Sequence, residues 1–141
     1  MSPIVDFNMD NVVPPTNAPD GPYLLRCIQA ERKLSNRKTR EVIHLVFAFV
    51  NRPATSPVHQ TLSIPTDVEL AEADASTEET KADWMKMEIK TTCQSFGLDP
   101  TTSEPEEFLG REQEAVVGTE AGTGSYRDRN KVLRWNDSPR S

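Results

Sequence analysis

Apolar residues between Tyr23 and Ile64 fall in three strand-length runs separated by polar loops. Tyr23–Arg32 predicts a first strand, with Leu24, Ile28 and Ala30 on one face and Tyr23, Leu25 and Cys27 on the other. The change of parity within it predicts a β-bulge. After the polar loop Lys33–Arg40, the second strand at Glu41–Val50 is apolar on both faces. Ile43, Leu45, Phe47 and Phe49 form its stronger face, so it should be a central strand with both phenylalanines in the core. Pro57–Ile64 alternates: Val58, Leu62 and Ile64 point inward, His59, Thr61 and Ser63 outward, with Gln60 the exception.

Beyond Pro65 the pattern changes. Residues 66–78 are acidic and poor in large apolar groups, which predicts a mobile linker. Ser76 and Glu79 have capping-box spacing, and Met85, Ile89, Cys93 and Phe96 then recur on one helical face. A helix is expected from about Glu78 to Ser95, stopped by Gly97, with Trp84 covering the core near its start. Glu104–Leu109 predicts a short helix ending at Gly110, Glu114–Glu120 a fourth strand, and Tyr126–Trp135 the segment holding the fifth. Three strands, one helix and two strands predict a mainly β fold. The arrangement suits a five-stranded Greek-key barrel of the OB type, its helix between strands three and four. The domain should span 21–136, after a flexible, acidic, proline-rich arm over 1–20 and before a loose tail over 137–141.

The formal net charge of −6 conceals a segregation. Residues 21–64 hold seven bases against two acids, and residues 126–141 five bases against two acids. Residues 65–125 hold fifteen acids against four bases. Screening over about 8–10 Å makes the local field decide what binds, so a basic face on an acidic protein can still take a polyanion. No apolar stretch approaches the roughly 18 residues of a membrane span, and no secretory leader is evident, so a cytoplasmic protein with reduced, buried Cys27 and Cys93 is expected.

Catalytic chemistry finds little support. The acids are spaced as a solvated surface, without the compact Asp…Glu-x-Lys grouping that a metal-dependent nuclease needs. His44, His59, Cys27 and Cys93 lack the local ligand pairs of a zinc site. There is no nucleophile elbow, and Gly122-Thr-Gly124 opens no helix, so neither an enzyme nor a cofactor or metal site is expected. Binding of single-stranded nucleic acid fits better, because it needs cations along a phosphate path and flat side chains on which bases stack. The loop after strand one supplies Lys33, Arg37, Lys38 and Arg40, after Arg26 on the strand itself. The hairpin into strand five supplies Arg127, Arg129 and Lys131 beside Tyr126, the best stacking candidate, with Trp135 as a second. His44 and Thr61, facing outward, would line the groove between these loops. The alternative is a protein-interaction or virion-structural module that uses the barrel as scaffold.

The run DGPYLLRCIQAERKLSNRKTREVIHLVFAFV, with FLGREQEAVVGTE and YRDRNKVLRW after a helix ending SFGL, resembles small phage-encoded single-stranded-DNA-binding proteins of OB type. The resemblance covers about residues 20–136. It implies binding and protection of single-stranded DNA, with RNA as the other candidate, in phage replication or recombination within the host cytoplasm. Replication or recombination proteins are then the implied partners, and a homo-oligomer is compatible with it.

Overall fold

The computed structural model describes residues 17–35, 39–122 and 128–135. Its longest strand, β1 (Gly21–Leu34), carries the expected bulge, where the register against β2 (Glu41–Phe49) shifts between Cys27 and Gln29. The extra residue lets Leu25, Cys27 and Ala30 all turn inward although their spacing changes parity. Ile28, expected to share a face with Ala30, is instead 50% exposed. One strand thereby serves two neighbours. Residues Gly21–Arg26 pair with β4 (Glu112–Glu120), and Leu25–Leu34 pair with β2. β3 (Val58–Ser63) extends the sheet beyond β2, and β5 (Arg129–Trp135) extends it beyond β4. All pairings are antiparallel, in the order β3-β2-β1-β4-β5. The edge strands β3 and β5 also touch, so the sheet curls on itself.

Burial follows the alternation. Leu45, Phe47 and Phe49 of β2 are buried on the inner face, and Val42 and Val46 on the other, as befits a strand inside the sheet. Phe47 lies at the centre, stacked on Phe96 and edge-on to Trp135, and Phe108 packs edge-on to Phe96. Both cysteines are free and buried, and burial pushes both thiols up.

Two helices, α1 (Asp67–Ala75) and α2 (Lys81–Ser95), follow β3. The first replaces the expected linker. It has no buried residue, but Thr66 and Glu69 form a complete capping box that supplies its local start signal. The same device starts α2, through Thr80 and Asp83 rather than Ser76 and Glu79, so α2 begins at Lys81. Ser76 caps the end of α1 instead. Gly97, at φ +72°, stops α2 as expected, with the Leu98 N–H returning to the Cys93 carbonyl at 2.8 Å. The short helix before Gly110 is a 3-10 turn, Pro105–Phe108, that carries Phe108 into the core.

The described end of the N-terminal segment belongs to the fold. Ala18 is buried, and Asn130 of β5 brackets its backbone, accepting from the Ala18 N–H at 2.8 Å and donating to its carbonyl at 2.9 Å. Residues 17–20 are therefore not part of a loose arm. No helix among the described residues is long and apolar enough to cross a membrane.

Candidate functional site

Beside the outward face of β2 and β3 lies a groove of about 540 Å³. Lys33 and Arg40 bound it from the two sides of the β1–β2 loop, with Ser35 and Thr39 between them. His44 and Val42 of β2, and His59, Thr61 and Ser63 of β3, line it between the loop and Arg129 at the start of β5. Period-two geometry explains the set. Val42 and His44 leave one face of β2, and they pair across the ladder with Ser63 and Thr61. Lys33, opposite Val42 on β1, joins the same face.

Five of the residues singled out from the sequence thus meet around one groove: Lys33, Arg40, His44, Thr61 and Arg129. Three others stand apart from it. Arg26 lies opposite Glu112 on β4 and pairs with it at 2.5 Å. Lys131 is exposed opposite Gly118, and the Trp135 ring sits edge-on to Phe47 and Phe96 in the core. Arg37, Lys38, Tyr126 and Arg127 lie outside the described residues. His59, which the sequence marks only as an outward polar residue, stands beside Thr61 in the groove wall. Its parity with Thr61 is the signal that identifies it.

The cations of the groove are not bare. Lys33 Nζ lies 3.4 Å from Glu31, and Arg129 Nε lies 3.0 Å from Glu120. Exposed pairs of this kind are worth about 0–1 kcal/mol, so an incoming phosphate can take the carboxylate's place. Arg40 is held more firmly. Its guanidinium grips both oxygens of Glu69, at 2.7 and 3.1 Å, with both side chains substantially covered. The Arg40 hydrogen bonds, with those from Thr66, hold the Glu69 carboxyl down to about 2. Arg40 therefore ties the β1–β2 loop to α1 while still presenting charge to the groove.

His44 and His59 form the polar floor, His44 Nε2 lying 3.0 Å from His59 Nδ1 with the rings stacked. Glu31 lies 3.8 Å from His44 Nδ1. The two facing nitrogens hold one proton between them, while His44 Nδ1 is buried without a hydrogen-bond partner among the described residues. Burial, then the neighbouring His44, Arg129 and Lys33, push the His59 pKa down, so this imidazole is neutral near pH 7.

No family model matches the chain, and no curated protein matches it in sequence. The reading of the groove therefore rests on its own chemistry. Three cations, two imidazoles and several hydroxyls along an open channel suit an extended polyanion. Among the described residues no group of three or more His, Cys, Asp or Glu side chains is placed to hold a metal ion.

Proposed function

We propose that the protein is a non-enzymatic binder of single-stranded DNA, built as an OB-type barrel, whose strand path follows the groove over β2 and β3. The observation that carries this reading is the meeting of Lys33 and Arg40 with Arg129, brought from opposite ends of the chain to one groove. The sheet order β3-β2-β1-β4-β5, with β3 against β5, supports the barrel, in which this groove is the usual ligand face. Lys33, Arg40 and Arg129 contact phosphates, while Thr61, His44 and His59 contact sugars and base edges. Binding is largely sequence-independent. The resemblance in sequence supports a role in phage replication or recombination.

Fluorescence anisotropy with labelled oligo(dT), at low and at high salt and beside a duplex of equal length, tests the reading. Saturable binding that favours the single strand and weakens steeply with salt is expected. Absence of binding at low salt, or equal affinity for duplex, overturns it.

A further inference from the structure

Away from the basic groove, a second cleft of about 460 Å³ opens between α2 and β5. Trp84 and Met87 of α2 and Leu133 of β5 line it and are 70%, 62% and 56% exposed. Trp84, expected to cover the core, is instead turned outward by the helix. An indole, a thioether and an isobutyl group sharing one exposed surface mark a contact site rather than scattered surface apolar residues. Two polar atoms lie buried beneath the cleft. Trp135 Nε1, a donor, and Gln60 Oε1, an acceptor, are buried without a hydrogen-bond partner among the described residues, and both residues line the cleft. Glu79, Glu88 and Arg134 also line the cleft, two acids to one base. Burial pushes the Glu88 carboxyl up.

We propose that this cleft binds an extended peptide segment of a partner protein, apolar in alternate positions and carrying a lysine or arginine. Each element of that description answers a feature of the cleft. The apolar side chains cover Trp84, Met87 and Leu133. The cation meets Glu79 and Glu88. β5 forms one wall of the cleft and α2 the other. The proposal is independent of the nucleic-acid reading, because the cleft and the groove share no lining residue.

Panning a phage-displayed library of random ten-residue peptides (length chosen to span the cleft, about 3.3 Å per residue) on the full-length protein tests it. Enriched peptides should alternate apolar residues with at least one Lys or Arg. Their synthetic versions should bind the double variant Trp84→Ala/Met87→Ser at least about tenfold more weakly, a loss expected of central anchors. Both substituted residues are exposed, so the variant should melt like the parent and bind oligo(dT) unchanged. In Glu79→Gln/Glu88→Gln, which keeps the apolar anchors, the preference for cationic peptides should vanish. Failure to enrich, acidic consensus sequences, or equal binding by the Trp84/Met87 variant overturns the proposal. So does sedimentation showing that the double variant dissociates a dimer, which would make a second copy the occupant. Weakened oligo(dT) binding by that variant would instead assign the cleft to nucleic acid.

Discussion

His59 is a groove imidazole whose pKa is pushed down by burial and by its neighbours. Its neighbours are cationic or imidazole on three sides, Lys33, Arg129 and His44, with Glu31 reaching Lys33 and His44. A histidine whose folded pKa is depressed contributes stability above its ordinary value of 6.5 and loses it as the pH falls through that value and then the folded one. The free protein should therefore melt at a lower temperature at about pH 5.5 than at about pH 7.5, and His59→Gln should lessen that fall in a thermal scan. A phosphate in the groove reverses the balance. Oligo(dT) affinity should rise over the same acid interval in the parent and stay flatter in His59→Gln, by anisotropy at fixed ionic strength. Lys33 and Arg129 act without titrating. Replacing either with Ala should weaken binding and reduce the slope of log affinity against log salt by about 0.7, the increment for one phosphate contact on a single strand.

At the scale of elements, α1 illustrates what sequence shows and conceals. It buries no side chain, so no apolar stripe announces it, and the acidic composition of 66–78 reads as solvated linker. Its supports are the Thr66–Glu69 box, which is a visible motif, and the Arg40 grip on Glu69, which joins residues far apart in sequence and is not. Because the Glu69 carboxyl is held down to about 2, its contribution is complete above its ordinary value of 4.5 and is lost as the pH drops toward 2. Glu69→Gln should expose α1 amides to faster hydrogen exchange at pH 7, with little change in β2. If α1 exchange is unaltered, the Arg40 link is not what docks the helix. The β elements were legible for the opposite reason, since alternation in Val58–Ser63 and the doubly apolar β2 reflect burial directly. Trp84 escaped because its apolar character says nothing of which side of α2 meets the sheet.

For the molecule as a whole, the ends of the fold are tied together. Asn130 holds both backbone groups of Ala18, and its amide also donates to the Gly118 carbonyl at 3.3 Å. Asn130→Ala should cost about 2 kcal/mol in urea unfolding, the usual loss when buried amide groups are left unmatched. In a variant beginning at Asp20 most of that cost should disappear, because its partner is gone, and an undiminished cost would show that the Gly118 bond dominates. The candidate groove was legible at this scale through charge segregation, which drew attention to Lys33, Arg40 and Arg129. Ion pairing was not legible, since Arg26 and Glu112 belong to strands whose adjacency only the topology reveals.

The bulge at Ile28 has a consequence for how the groove could change over time. Removing that residue leaves Cys27 opposite Phe47 and Gln29 opposite Val46, the pairing they already have, so no later residue switches faces. What disappears is curvature. A protein shortened at this point would keep the same charges over β2 and β3 on a flatter surface, making a single-residue deletion a route to altering the shape of the binding surface while leaving its chemistry intact.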